Sequence, residues 1–196
     1  MDNRLKECAV VTKDTALGYT HRVIVAGSRK YNDYAFFKSF MKEYFIDDPL
    51  YTNNLCFISG MAFSGGDDLI ITFCKEFNIP IYPCAAEWRD SNNNYDSSAG
   101  FKRNLTMLDV GNQLVAFYDG KSNGTKHILD NAGKIKMKRV IVKIEIHKEL
   151  SLLIRNATKS GENTAERVGR TFVGIVDILS TVTLDKLRKI FLHDVS

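Results

Sequence analysis

The sequence predicts an α/β protein built on a Rossmann-like parallel sheet with helices on both faces. Short apolar runs rich in β-branched residues alternate with amphipathic segments along most of the chain, and such runs are typical of strands buried on both faces of a parallel sheet. Glycine-rich segments also follow three of the runs. Because crossovers between parallel strands are right-handed, the carboxyl ends of the strands share one edge, where we expect these segments to meet.

Five strands are predicted from short apolar runs bounded by glycine, proline or polar residues. The runs are RVIVAG, LCFISG, IPIYP, QLVAFY and RVIVKI, which in chain order occupy residues 22–27, 55–60, 79–83, 113–118 and 139–144.

Four helices are predicted between the strands, because the apolar residues there recur at helical spacing. They cover residues 33–45, 66–77, 101–109 and 122–133. In the third of them we expect Phe101, Leu105 and Leu108 to face the sheet, which leaves Arg103 free of the core. The other inward residues are Phe36, Phe37, Phe40, Met41 and Tyr44 in the first helix and Leu69, Ile70, Phe73 and Phe77 in the second.

The chain divides into three parts by pattern. Residues 1–20 form an irregular or loosely paired lead-in, and residues 21–145 form the Rossmann-like domain. Residues 146–196 are predicted to be a helical extension with two amphipathic helices. Their apolar stripes either pack on the domain or form a subunit interface, so we expect a homo-oligomer. The stripes consist of Val168, Phe172, Ile175, Val176 and Leu179, and of Leu184, Leu187, Ile190 and Phe191.

The composition of the chain limits which partners and cofactors we expect. The net charge of +4 is mild and spread along the chain, so nucleic acid is an unexpected partner. No apolar run approaches the roughly 20 residues that span a bilayer, and we expect no membrane partner. The four cysteines lack CxxC spacing and the four histidines are scattered. We therefore expect a cytoplasmic protein with free thiols, no metal and no cofactor.

The segment GKSNGT, which follows the fourth strand, has the pattern of an anion site. A helix that starts here would offer unpaired backbone N–H groups to a phosphate. Gly120 and Gly124 would let the backbone approach a ligand, and Ser122 and Thr125 would add hydroxyl groups. The alternative is an ordinary tight turn capped by Ser122 or Asn123.

Polar residues after the other strands are expected at the same edge. Arg29 is either a phosphate ligand or an ordinary surface arginine. Asp67 either caps its helix or accepts a hydrogen bond from a ribose hydroxyl. Trp88 either stacks on a base or covers the sheet edge. Arg103 either binds the ligand or extends to the surface.

These segments together resemble the SLOG superfamily of Rossmann-like nucleotide-binding domains. The resemblance rests on VAGSR, ISGMA with GGD, AEW, AGFKRNLTM and LVAFYDGKSNGT, in that order across residues 21–144. It is closest to bacterial and phage proteins of the YspA type, and the superfamily includes the Lonely guy phosphoribohydrolases and DNA-processing protein A. The resemblance implies that ligand contacts come from Gly27, Ser28, Arg29, Ser59, Gly60, Asp67, Arg103, Asn104, Gly120, Ser122, Gly124 and Thr125.

Two departures from that family bear on catalysis. The phosphoribohydrolases carry a glutamate three residues after the threonine of their GT pair, where this sequence has Ile128. The segment SGMAFSGGD is also one residue longer than its family counterpart, which leaves the role of Asp67 open.

The leading hypothesis is therefore a protein that senses or sequesters a nucleotide-derived signal, such as an ADP-ribose-like or cyclic nucleotide species. A phage origin would suit a protein that counters a nucleotide-signalled defence. The alternatives are a nucleotide N-glycosidase that uses Glu87, Asp119 or Asp67 as its acid, and a binder of single-stranded nucleic acid.

Overall fold

A computed structural model describes residues 2–51 and 54–144. They form an α/β fold with a five-stranded, fully parallel sheet, consistent with a Rossmann-like arrangement. In chain order the strands are His21–Gly27 (β1), Leu55–Ser59 (β2), Ile81–Pro83 (β3), Gln113–Tyr118 (β4) and Lys138–Lys143 (β5). They lie in the sheet in the order β3-β2-β1-β4-β5, so the order reverses between β1 and β4.

Helices cover both faces of the sheet. Alternate residues of a strand point to opposite faces, and in β1 Val23 and Val25 belong to one buried apolar cluster whereas Ile24 and Ala26 belong to the other. The helices are Lys13–Leu17 (α1), Tyr34–Met41 (α2), Gly66–Phe77 (α3), Ala99–Val110 (α4) and Asn123–Lys134 (α5). The first cluster includes residues of α2 and α3, and the second includes residues of α1, α4 and α5.

Aromatic rings dominate the face that α2 and α3 cover. Phe117 of β4 packs against Tyr31 and Phe37, with ring centroids 5.2 and 4.7 Å away. Phe73 of α3 meets Phe37 and Phe57 edge-on at 6.2 and 6.1 Å. Offset and edge-to-face contacts of this kind add to the stabilisation from apolar burial.

The described structure is more regular at its amino end than the sequence indicates. Residues Asn3–Leu5 form a 3-10 turn, α1 follows, and Val10 makes a parallel bridge to Ile81. Leu5 and Ala16 are buried in the two apolar clusters. Such short elements contain too few residues for a periodic pattern, so the sequence does not reveal them.

The predicted helix over residues 33–45 is divided. Its α-helical part ends at Met41, and a π-helical turn continues over Lys42–Ile46. Phe45 lies in this turn and belongs to the buried cluster, where it meets Phe57 with ring centroids 5.3 Å apart.

The predicted inward face of α4 is wrong for two of its three residues. Phe101 and Leu105 are 43% and 46% exposed, and the buried positions include Asn104, Met107 and Leu108. A pair of apolar residues four positions apart marks one side of a helix but does not say whether that side faces the sheet.

Among residues 2–51 and 54–144, no helix has both the length and the apolar character that crossing a membrane requires. The predicted helical extension over residues 146–196, with the oligomer contacts assigned to it, lies outside the described residues.

We expect Phe73→Ala to lower the free energy of unfolding by about 3–5 kcal/mol, because it removes a fully buried ring and leaves a cavity. Urea denaturation followed by circular dichroism measures the change. Leu50→Ala, at an exposed position, is the control and should cost no more than about 0.5 kcal/mol. Equal losses in the two variants would contradict the aromatic core described above.

Candidate functional site

A cavity of about 670 Å³ opens at the carboxyl edge of the sheet, where the strand order reverses. Ala26 and Gly27 at the end of β1 form part of its wall, and Asp119 lies directly after β4. The first turns of α4 and α5 complete much of the rest. Ligands of open α/β sheets bind at this position, and the volume lies in the usual range for small-molecule sites.

Most of the predicted contact residues line this cavity. They come from β1, from the segments after β1, β3 and β4, and from α3, α4 and α5, so the fold brings together residues that are distant in the sequence. The lining includes Gly27, Arg29, Asp67, Trp88, Arg103, Asn104, Ser122, Gly124 and Thr125.

Ser28 and Ser59 are buried and do not line the cavity. The Ser28 hydroxyl accepts a hydrogen bond from the backbone N–H of Asp119 at 3.3 Å. The Ser59 hydroxyl donates to the carbonyl of Asp67 at 2.8 Å and accepts from the N–H of Met61 at 3.1 Å. Both side chains therefore hold the loops around the cavity, and neither is placed to touch a ligand.

Asp67 joins the β2–α3 connection to α4. Its carboxylate accepts hydrogen bonds from the N–H groups of Gly60 and Ala62 at 3.2 and 3.3 Å, and it pairs with Arg103 at 3.4 Å. Arg103 also donates to the carbonyl of Gly60. Burial raises the pKa of Asp67, while the Arg103 charge and the two N–H groups act in the opposite direction.

This arrangement corrects one reading of Asp67 from the sequence. The residue before α3 is Gly65, and the helix has no side-chain cap, so Asp67 does not cap it. The longer SGMAFSGGD turn is accommodated by left-handed backbone at Met61 and Gly65, with φ of 62° and 76°.

Gly27 and Gly66 allow close packing between β1 and α3. A Cβ at Gly27 would lie 2.8 Å from the nitrogen of Gly66, and one at Gly66 would lie 2.7 Å from the carbonyl carbon of Ala26. Because these two glycines have no side chains, the backbones of β1 and α3 can approach each other closely. Gly60 and Gly120 do not line the cavity, and a Cβ at Gly60 would collide with the Arg103 guanidinium.

The amino end of α5 faces the cavity in a different way. A Cβ at Gly124 would meet nothing within 4 Å, so space is open beside the first turn of this helix. The N-cap residue Ser122 makes no side-chain hydrogen bond to the first-turn N–H groups, which have no acceptors within the helix. The Thr125 hydroxyl donates to that of Ser122 at 3.1 Å.

Asp119 supports the loop that leads into α5. Its carboxylate accepts hydrogen bonds from the N–H groups of Lys121 and Ser122 at 3.0 and 2.8 Å. Burial acts to raise the pKa of Asp119, but hydrogen bonds from Ser28 and from these N–H groups outweigh it, and the pKa lies below its usual value. Asp119 is therefore a carboxylate at neutral pH.

Asn104 connects α4 to α5. Its side-chain amide donates to the carbonyl of Gly124 at 3.1 Å, and the neighbouring Phe101 ring packs against His127 with centroids 4.5 Å apart. These contacts fix the first turn of α5 relative to α4.

Two lysines that sequence reasoning missed also line the cavity. Lys30 follows Arg29, and Lys121 follows Gly120. In the sequence, their places within or beside the glycine-rich segments are the one feature that points to the cavity. With Arg29 and Arg103 they outnumber the lining carboxylates of Asp67 and Asp119, so the lining carries a net positive charge.

Arg4 is a third residue whose role the sequence does not reveal. Its guanidinium donates to the carbonyls of Ala62 and Met61 at 2.8 and 3.0 Å and to Asp68 at 3.0 Å. It also lies 4.3 Å from the centroid of the Phe63 ring. The amino-terminal segment therefore holds the β2–α3 connection in place.

The three candidate acids are in different situations. Asp67 is paired with Arg103, Asp119 holds a loop, and Glu87 is exposed and does not line the cavity. Among the described residues, no group of three or more His, Cys, Asp and Glu side chains could hold a metal ion.

Comparisons of the chain with models of protein families, with curated proteins and with solved structures find no match.

We expect Asp67→Asn to lower the free energy of unfolding by about 3–5 kcal/mol, because it leaves the Arg103 charge buried without its partner. Adding Arg103→Met should cost less than the sum of the two single substitutions, since the pair is then removed together. Urea denaturation of the four proteins measures this coupling.

The matched control is Lys102→Met, on the same helix as Arg103, which breaks an exposed ion pair with Asp96 of the preceding loop and should leave stability nearly unchanged. Additive effects of the Asp67 and Arg103 substitutions would contradict the proposed link between the β2–α3 connection and α4.

Proposed function

We propose that the protein binds a nucleotide or nucleotide-derived signalling molecule in this cavity, as a sensor or a sequestering protein. The observation that carries the proposal is a positively charged cavity at the reversal of strand order, with the open first turn of α5 in its wall. An ADP-ribose-like or cyclic nucleotide species has the required anionic sugar phosphate.

The amino end of α5 is the proposed phosphate site. Backbone N–H groups and the positive end of the helix dipole favour an anion there. Gly124 leaves room for a phosphate to approach, and Ser122 and Thr125 add hydroxyl groups in the same wall. Arg29 and Lys30 supply positive charge from the β1–α2 connection, and a guanidinium suits bidentate phosphate contact.

Arg103 offers a further donor. Its Nε is buried and has no hydrogen-bond partner among the described residues, and the side chain lines the cavity. A buried donor without an acceptor is costly, and a ligand oxygen would accept from this group only after the guanidinium shifts toward the cavity, since it now contacts Asp67 and the carbonyl of Gly60. The resemblance to the SLOG superfamily, which assigns ligand contact to Arg103 and Asn104, supports the same site.

Ile128 supports the proposal that the ligand is bound and not hydrolysed. This residue is buried and lines the cavity, at the position where the similar phosphoribohydrolases carry a glutamate. An aliphatic side chain can neither stabilise a developing ribosyl cation nor activate water.

A nucleotide N-glycosidase is the second candidate, because Asp119 places a carboxylate in the cavity wall. Its Oδ1 already accepts two backbone hydrogen bonds, so a catalytic role would fall to Oδ2.

Nucleic-acid binding has less support. The most basic stretch, residues 134–139, connects the end of α5 to the start of β5. It therefore lies at the amino edge of the sheet, away from the cavity. A phage protein that sequesters a nucleotide signal would need only the cavity, and it would not need a basic surface for nucleic acid.

We expect isothermal titration to detect binding of at least one member of a panel of ADP-ribose, NAD, AMP, GMP and cyclic AMP. Arg29→Gln should weaken that binding by about 10- to 150-fold, the effect of losing a hydrogen bond to a charged group. Lys138→Gln removes the same charge at an exposed position on the opposite edge and should leave affinity unchanged. Equal affinities in the two variants, or no binding across the panel, would overturn the proposal.

We expect the nucleotides to be recovered intact after prolonged incubation with the protein. Chromatography of the mixture for free adenine, guanine or nicotinamide tests this. Release of a base that Asp119→Asn abolishes would instead establish the N-glycosidase.

A further inference from the structure

Trp88 and Tyr95 form an aromatic ledge at the cavity. Their rings are nearly parallel, with an angle of 10° between them and centroids 6.1 Å apart. Trp88 lines the cavity and Tyr95 lies beside it outside the lining. The two residues are 40% and 66% exposed, and neither belongs to the buried apolar clusters. The ledge is therefore not part of the core that holds the sheet and helices together.

The loop that carries the ledge is held by its own hydrogen bonds. The Asp90 carboxylate accepts from the N–H groups of Asn92 and Asn94 at 2.9 and 2.8 Å. The Arg89 guanidinium donates to the carbonyl of Asn93 at 2.9 Å. The N–H of Asp96 donates to the carbonyl of Trp88 at 3.0 Å. These bonds fix the ledge within a polar loop.

The ledge lies near the amino end of α4. A Cβ at Gly100 would be 3.4 Å from the Trp88 indole, whereas the first turn of α5 contacts the same helix at Asn104. Four residues separate these contacts, which is about 6 Å along a helix axis. Residues four apart lie on the same side of a helix, so the ledge and the first turn of α5 adjoin one side of α4, and Trp88, Ser122 and Gly124 line the same cavity.

We propose that the ledge stacks a nucleobase while the amino end of α5 holds the phosphate of the same ligand. This inference rests on the proposed function and narrows it, because it makes the ligand a nucleotide with its base intact and excludes base-free sugar phosphates. Trp88 makes the contact with the base. Tyr95 is a positioning residue that supports the indole from outside the cavity.

Trp88 is the only tryptophan of the chain, so its fluorescence reports on the ledge alone. We titrate the full-length protein with AMP, ADP-ribose and ribose 5-phosphate, recording indole fluorescence and, in parallel, heats of binding. The nucleotides should quench the indole, and ribose 5-phosphate should bind more weakly without quenching it. Trp88→Leu should weaken nucleotide binding by roughly 5- to 150-fold, the range for one base–aromatic stack, and leave ribose 5-phosphate unaffected.

Trp88→Phe should restore most of the affinity, since a ring is again present. Phe63→Leu removes a highly exposed ring that does not line the cavity and should change nothing. Ribose 5-phosphate binding as tightly as the nucleotides, with no quenching, would overturn the stacking proposal and leave the anion site standing. Failure of all three probes to bind would overturn the proposed function itself.

Discussion

The reversal of strand order between β1 and β4 is the constraint on which the rest of the structure depends. Parallel strands require crossover connections. The connections on the two sides of the reversal run over opposite faces of the sheet. The carboxyl edge between them stays uncovered, and the cavity occupies this gap. Connections from both halves of the sheet contribute to its wall, which is why residues from Ala26 to Ile144 meet at one point.

Polar residues around the gap divide into two groups. Ser28, Ser59 and Asp67 are buried and hydrogen-bond to backbone groups of the surrounding loops, and Asp67 also pairs with the Arg103 side chain. Arg29 and Lys30 are exposed residues in the cavity wall. The first group sets the shape of the site, and the second group, with the open turn of α5, gives it positive charge.

The sequence predicts the sheet and the edge that carries the cavity, because strand and helix periods are local properties. The bounds of α3 and β4 agree with their predictions. The sequence does not predict which polar side chains form buried hydrogen bonds and which line the cavity. Ser28 and Arg29 are neighbours in the chain, yet one supports a loop and the other lines the cavity. The role of Arg4 cannot be read from the sequence, because its acceptor, the carbonyl of Ala62, is 58 positions away.

The glycines of the site differ in what an added side chain would meet. Gly27 and Gly66 face backbone at close range, so a larger residue at either one would force β1 and α3 apart. Gly124 faces open space, and a larger residue there would intrude on the cavity with little strain on the fold. The volume of the cavity and the stability of the fold are thus separable under mutation, so a lineage of such proteins can reshape the cavity by one substitution and still retain its architecture.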